Sequence, residues 1–264
     1  MICGGVYLVE NAIKHGSFGA IYKGKNIITH EPVAIKTDYN CEGWSLINHE
    51  ASILQYLSVS SITRVHNYGK LSDGSYYLVM PYYTMSLDDY IRNNNKIGGS
   101  GQAKIMLHIM INILKNIHDK YVIHRDIKPA NFMIENESLV LIDFGLATYY
   151  VNENKTHIPN TPIRDIVGSR RYASINVLNK NTPSRRDDII SAAYIYVSIL
   201  WPELFILNNK SDSIDWIQIK QLNNMPEQVK PLFEYLYSLA YMERPDYEKV
   251  IMMTHEPTNP TINT

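Results

Sequence analysis

Cysteine, long apolar runs and an imbalance of charge are all scarce or missing in this sequence. The chain of 264 residues has two cysteines, Cys3 and Cys41, without metal-ligand spacing, which makes a disulfide scaffold unlikely and suits a reducing compartment. No stretch reaches the roughly 18 consecutive apolar residues of a membrane helix, so no membrane association is expected. Lysine and arginine number 25 against 26 acidic residues, so we expect no direct nucleic-acid binding.

The amino terminus shows neither an export signal nor a lipidation signal. It lacks the basic, apolar and small-residue order of a signal peptide, and it begins Met-Ile rather than Met-Gly. We therefore expect a location in the cytoplasm or nucleus. We also expect a monomer. The 20 tyrosines against 5 phenylalanines, with frequent isoleucine and asparagine, are typical of an AT-rich coding sequence such as that of a large DNA virus or an AT-rich microbe. That bias extends the expected locations to an infected host cell or a virion.

The most informative residues lie between positions 124 and 145. The segment His124-Arg125-Asp126-Ile127-Lys128-Pro129-Ala130-Asn131 is followed by a short apolar stretch and then by Asp143-Phe144-Gly145. Two carboxylates, an amide and a lysine at these spacings are the set that phosphoryl transfer from metal-bound ATP needs. In these motifs the chain resembles a protein kinase.

The resemblance implies a role for each of these side chains. Asp126 would orient the attacking hydroxyl and accept its proton, while Asn131 and Asp143 would bind Mg²⁺. Lys128 would lie near the transferred group of ATP, and a lysine at this position is typical of serine/threonine kinases. The implied cofactors are ATP and Mg²⁺, and the implied partners are protein substrates with serine or threonine acceptors.

Upstream motifs agree with this reading. A strand, a turn and a second strand are predicted around Gly16, Ser17, Phe18 and Gly19, where backbone amides can approach phosphate oxygens. Lys14 departs from the family pattern, because it stands where the first glycine of the loop is expected.

A strand ending in Lys36 and a helix over residues 46 to 57 predict an ion pair. Glu50 lies on the apolar side of that helix, where a carboxylate is costly unless it is paired. A Lys36–Glu50 pair would position the lysine for the α- and β-phosphates of ATP. The resemblance also assigns residues to the adenine pocket, although composition alone would make them ordinary core residues: Ile13, Ile21, Ala34, Met80, Tyr83, Met133 and Ile142.

Downstream motifs narrow the resemblance to the casein kinase 1 family. Arg171-Tyr172-Ala173-Ser174-Ile175-Asn176 replaces the usual Ala-Pro-Glu, Ser184-Arg185-Arg186-Asp187-Asp188 follows, and Pro245-Asp246-Tyr247 is similar to the family's closing helix. The resemblance covers roughly residues 6 to 252, and vaccinia-type kinases share part of it.

That resemblance implies a preference for acidic or already phosphorylated contexts. Arg171 is the preferred anion contact within a basic cluster completed by Arg170, Arg185 and Arg186. Alternatively, Arg185 and Arg186 form structural ion pairs with the adjacent aspartates. Asp188 is expected to brace the catalytic-loop backbone.

The implied architecture is a bilobal α+β protein kinase fold, with a small antiparallel β-sheet N-lobe carrying one helix and a larger, mainly helical C-lobe. We expect five strands in the sheet, a kinase domain over 1–255 (N-lobe about 1–80, C-lobe about 84–255) and a flexible tail over 256–264. Two rival functions stay open. Lys14 and the short C-terminal lobe slightly favour a pseudokinase acting as a nucleotide-dependent binding module, whereas the intact catalytic set argues strongly against it: Lys36, Glu50, Asp126, Asn131 and Asp143. A small-molecule phosphotransferase of related fold would lack the lysine and proline of the catalytic loop.

Overall fold

The computed structural model describes residues 2–16, 19–39, 45–93, 99–205 and 215–254. The strands are β1 (Ile2–Cys3), β2 (Tyr7–His15), β3 (Gly19–Asn26), β4 (Pro32–Asp38), β5 (Asn67–Lys70), β6 (Tyr76–Pro81), β7 (Val122–Ile123), β8 (Phe132–Glu135), β9 (Ser138–Leu141) and β10 (Thr148–Tyr149). The helices are α1 (Leu46–Leu57), α2 (Leu87–Asn93), α3 (Gly99–His118), α4 (Ile175–Leu178), α5 (Arg185–Leu200), α6 (Trp216–Ile219), α7 (Lys230–Ser238) and α8 (Tyr247–Met252). Among the described helices, none has both the length and the apolar composition that crossing a membrane requires.

Packing divides the chain into two compact units that do not follow chain order. Residues 1–93 and 129–149 form the first unit, and residues 94–128 and 150–264 form the second. The change falls between Lys128 and Pro129, so the catalytic motif is shared between the units. The lobe limits expected near residues 80 and 84 stay a prediction, and the tail expected over 256–264 lies outside the described residues.

The first unit is built on an antiparallel sheet of six strands in the order β1-β2-β3-β4-β6-β5. The expected number of five was wrong because β1 is only two residues long, too short for an alternating pattern to be visible. Along β4 the side chains alternate: Val33 and Ile35 are buried with Tyr77 and Val79 on one face. Ala34 and Lys36 therefore belong to the opposite face, the one that matters for the candidate site.

Helix α1 begins and ends where the sequence predicts. The Ser45 hydroxyl accepts a hydrogen bond from the backbone N–H of Asn48, which caps the first turn. Ser58, in the left-handed conformation with φ 41°, ends the helix. The buried residues of the helix recur at helical spacing, as predicted: Ile47, Glu50, Ala51, Ile53, Leu54 and Leu57.

Helices α3 and α5 supply much of the core of the second unit. Isoleucines recur every four residues along α3, at positions 105, 109, 113 and 117, and this spacing predicts a helix. The first of them, Ile105, is 60% exposed, whereas Ile113 and Ile117 are buried. A strict spacing of four advances about 40° per step around the helix, so such a series leaves the buried face. The sheet with its helix and the mainly helical second unit confirm the predicted bilobal α+β fold class.

Candidate active site

A buried ion pair in the first unit joins β4 to α1. Lys36 Nζ lies 2.6 Å from Glu50 Oε2, and the Glu50 side chain is completely buried. The second carboxylate oxygen of Glu50 accepts a hydrogen bond of 3.0 Å from the backbone N–H of Phe144. The predicted Lys36–Glu50 pair is therefore present, and it also fixes the backbone just after Asp143.

Asp143 completes this cluster. Its Oδ1 lies 2.7 Å from Lys36 Nζ, and its side chain is 42% exposed. Burial opposes the positive charge of Lys36, but the two carboxylates outweigh burial and raise the pKa of this lysine above its ordinary value. Burial raises the pKa of Glu50, against the opposing effect of the Lys36 ammonium. Lys36 thus carries a fixed positive charge beside an accessible carboxylate.

Asn131 lies in the same unit as Asp143. Its side chain is buried, and its backbone carbonyl accepts a hydrogen bond of 2.9 Å from the N–H of Ile142, the residue before Asp143. Carboxylate and amide oxygens are hard donors of the kind that Mg²⁺ prefers, usually together with water and phosphate oxygens. The donor chemistry of Asn131 and Asp143 therefore fits the predicted metal ion, and the metal role itself stays a prediction.

The residues assigned to the adenine pocket also belong to the first unit. Ala34 lies directly opposite Met80 across β4 and β6, and Ile21 lies opposite Lys36 across β3 and β4. Met133 is half-buried in β8, whereas Ile13 is 51% exposed. The remaining two, Tyr83 and Ile142, are half-buried, and the Tyr83 hydroxyl donates to Thr63 Oγ1 at 3.4 Å.

The glycine turn is described only at its ends. The N–H of Gly16 donates to the carbonyl of Gly19 at 2.8 Å, which closes the turn between β2 and β3. Ser17 and Phe18 lie outside the described residues. Lys14 pairs with Ile21 in the sheet and its side chain is exposed. The expected strand–turn–strand is present, and nucleotide binding by its amides stays a prediction.

The carboxylate of Asp126 lies in the second unit, beside Lys128 and Ser169. Lys128 Nζ lies 2.5 Å from Asp126 Oδ2, and the backbone N–H of Ser169 donates to Asp126 Oδ1 at 2.9 Å. Gly168, with φ 80°, passes so close that an added Cβ would lie 2.3 Å from the carbonyl oxygen of Arg125. The segment before Arg170 is therefore part of the surroundings of Asp126, which the motif alone did not reveal.

Asp188 braces the catalytic-loop backbone as expected. Its carboxylate accepts hydrogen bonds from the N–H groups of His124 at 2.7 Å and Arg125 at 2.9 Å. His118 Nε2 lies 3.1 Å from the same carboxylate, and His118 Nδ1 lies 2.9 Å from the Tyr247 hydroxyl. Although burial opposes ionisation, these hydrogen bonds and the histidines lower the pKa of Asp188.

Three arginines of the basic cluster donate hydrogen bonds to backbone carbonyls. Arg171 donates to the carbonyl of Phe205, Arg186 to that of Leu239, and Arg185 to that of Met242 at 2.5 Å. The alternative was that Arg185 and Arg186 form ion pairs with the adjacent aspartates. Among the described residues, Arg186 forms such a pair, with its Nε 4.0 Å from Asp187. Binding of an anion by Arg171 stays a prediction.

Sequence reasoning missed Lys220, whose buried ammonium donates to two carbonyls of residues 170–173. No sequence signal marks it, because its partners are backbone atoms about 50 positions away. His49 Nε2 lies 2.8 Å from the carbonyl of Ala147, and Arg244 pairs with Asp119 at 2.7 Å.

Comparisons with known proteins agree with this geometry. Residues 7–254 match the protein kinase domain family. The chain is 29% identical over 262 residues to casein kinase I homolog 2 of Schizosaccharomyces pombe, a match that covers 91% of this chain. The chain spans 60% of the length of that curated relative. The protein therefore belongs to the protein kinase family, and its similarity to casein kinase I homolog 2 agrees with the resemblance seen in its sequence motifs.

Proposed function

We propose that this chain transfers the γ-phosphoryl group of ATP to serine and threonine hydroxyls of protein substrates. The observation that carries the proposal is the Lys36 ammonium held between Glu50 and Asp143. In protein kinases this lysine–glutamate pair and the metal-binding aspartate must both be in place for activity. A binding module that does not bind nucleotide would have no need for that arrangement.

The first unit would bind the nucleotide. Lys36 would contact the α- and β-phosphates, and Glu50 would hold it there because a buried carboxylate is costly without a charged partner. Bound with ATP, Mg²⁺ would neutralise charge on the β- and γ-phosphates. Asn131 and Asp143 would supply its protein oxygens. The glycine turn and the apolar residues around Ala34 and Met80 would hold the phosphates and the adenine.

The second unit would act on the acceptor. Asp126 would orient the substrate hydroxyl and accept its proton. Lys128, at 2.5 Å from the same carboxylate, would remain near the transferred phosphoryl group. This lysine supports serine and threonine rather than tyrosine as acceptors, by likeness to the family.

The test is transfer of radiolabelled phosphate from Mg-ATP to casein by the wild type, Asp126→Asn and Asp165→Asn. Loss of the catalytic base should lower kcat by about 10²- to 10⁴-fold. Asp165 is an exposed carboxylate of the same unit, so its variant should retain activity. ATP binding is measured in parallel by calorimetry. Wild-type protein that binds ATP but transfers nothing would favour the pseudokinase, and transfer to small alcohols alone would favour the small-molecule phosphotransferase.

We further propose that Arg171 favours acidic or phosphorylated substrates. The guanidinium is half-buried and its centre lies 6.0 Å from the Trp216 ring, where it keeps donors beyond the one used on Phe205. Arg171→Ala should lower kcat/KM for an acidic peptide more than for a neutral peptide of the same length. An equal loss on both peptides would show that the arginine acts only on the fold. The monomeric state and the cytoplasmic or nuclear location stay predictions.

A further inference from the structure

Lys220 is a lysine whose side chain is completely buried in the second unit. Its Nζ donates to the carbonyls of Arg170 at 3.0 Å and Ala173 at 2.6 Å, and it lies 4.6 Å from the centre of the Tyr194 ring. Within the described residues, no carboxylate forms an ion pair with it. A buried ammonium is costly without such a partner, so two carbonyls and aromatic faces must offset that cost.

The two carbonyls belong to a tight turn that ends beside the catalytic base. The N–H groups of Tyr172 and Ala173 both donate to the carbonyl of Ser169 at 3.0 Å, which closes the turn Ser169–Ala173. The N–H of Ser169 then donates to Asp126 Oδ1 at 2.9 Å. The ammonium of Lys220 is therefore linked to the carboxylate of Asp126 through one short, internally bonded turn.

We propose that Lys220 is a positioning residue for Asp126, acting through the turn Ser169–Ala173. It touches neither substrate nor nucleotide in this role, which rests on the proposed kinase function. By fixing the turn, it fixes the direction of the Ser169 N–H and so the orientation of the carboxylate that must meet the acceptor hydroxyl. Small errors in such an orientation lower kcat strongly.

Near pH 7 the charge of Lys220 changes, whereas the charges of the groups that face it do not. Burial lowers the pKa of Lys220 to about 7. Burial also raises the pKa of Tyr194, and raises that of Tyr237 to about 12, so both phenols stay neutral near pH 7. Trp216 does not titrate, and the Arg171 guanidinium is a further cation near its ring. Loss of the Lys220 proton removes its charge-assisted hydrogen bonds and its attraction to the rings.

The test compares three variants with the wild type in steady-state phosphate transfer to casein from pH 6 to pH 9. Lys220→Met removes the donors at similar length, and Lys220→Arg keeps a charge that does not titrate in this range. Tyr237→Phe is the matched control. It removes the hydroxyl that donates to the Lys220 carbonyl at 2.8 Å but leaves the ammonium contacts in place.

We expect Lys220→Met to lower kcat by about tenfold or more with KM for ATP unchanged, because only the orientation of Asp126 is disturbed. In the wild type, kcat should decline with rising pH, with a midpoint near pH 7. Lys220→Arg should recover part of the loss seen in Lys220→Met and should not show this decline. Tyr237→Phe should retain the wild-type rate and pH profile.

Full kcat in Lys220→Met would overturn the inference, and so would an equal loss in Tyr237→Phe, which would indicate packing alone. Should Lys220→Met fail to fold, Lys220→Arg provides the test. A decline of its kcat with pH that is identical to that of the wild type would contradict the role. A wild type without any transfer refutes the proposed function and the inference with it, whereas an active wild type beside an equally active methionine variant refutes only the inference.

Discussion

Several residues of the kinase motifs hold a left-handed backbone conformation that side chains with a Cβ rarely adopt. Arg125 has φ 69° and Asp143 has φ 66°, and Gly168 has φ 80°. Such conformations cost on the order of 1–3 kcal/mol each for non-glycine residues and persist where surrounding contacts impose them. The contacts are identifiable: Asp188 binds the N–H of Arg125, and Glu50 binds the N–H of the residue after Asp143. Buried carboxylates thus hold strained backbone in both units.

Gly168→Ala tests how closely this backbone is packed. The new Cβ would lie 2.3 Å from the carbonyl oxygen of Arg125 and 3.2 Å from Asp126 Oδ1, and the backbone of the catalytic loop would have to move. We expect kcat to fall by about tenfold or more, because Asp126 is displaced. Activity and urea denaturation are measured together.

Gly5→Ala is the control for the backbone conformation alone. Gly5 has a similar φ of 76°, but an added Cβ there meets nothing within 4 Å. This control should lose about 1 kcal/mol of stability and no activity. Comparable activity in the two variants would contradict the steric explanation.

At the scale of elements, the sequence predicts structure best where a periodic pattern is long enough to be recognised. The bounds of helix α1 were predicted correctly because its apolar positions recur at helical spacing over residues 46 to 57. Strand β1 was missed because two residues are too few to show the alternation of buried and exposed side chains that marks a strand. The series of isoleucines in α3 identified a helix correctly but not its buried face, since Ile105 is exposed.

The same limit applies to the candidate site. The motifs predicted the chemical groups, and the Lys36–Glu50 contact followed from the cost of leaving a carboxylate unpaired in a core. The partners of Arg185 and Arg186 could not be predicted, because they are carbonyls of residues 239 to 242, just after α7. A backbone carbonyl has no sequence signature, so contacts to it become visible only in the folded chain.

For the whole molecule, the buried ionisable groups predict how stability depends on pH. An unfolded lysine keeps its proton up to about pH 10, whereas burial lowers the pKa of Lys220 in the folded chain to about 7. Between these values the unfolded state binds more protons, so the free energy of unfolding rises with pH. Above about pH 10 the sign reverses, because burial raises the pKa of Tyr194 and Tyr237 and the folded state then keeps protons that unfolded tyrosines lose.

Urea denaturation of the wild type and Lys220→Met at pH 6 to 10 isolates the contribution of the lysine. The ring of Trp216 lies 5.5 Å from the Lys220 ammonium, so tryptophan fluorescence is sensitive to the surroundings of Lys220. We expect the wild type to gain on the order of 3–5 kcal/mol relative to the variant between pH 7 and pH 10, as the folded lysine loses its charge. A difference that does not change with pH would mean that Lys220 titrates alike in both states. The gain would begin at the pH where kcat declines, because the same buried charge that orients Asp126 destabilises the folded chain.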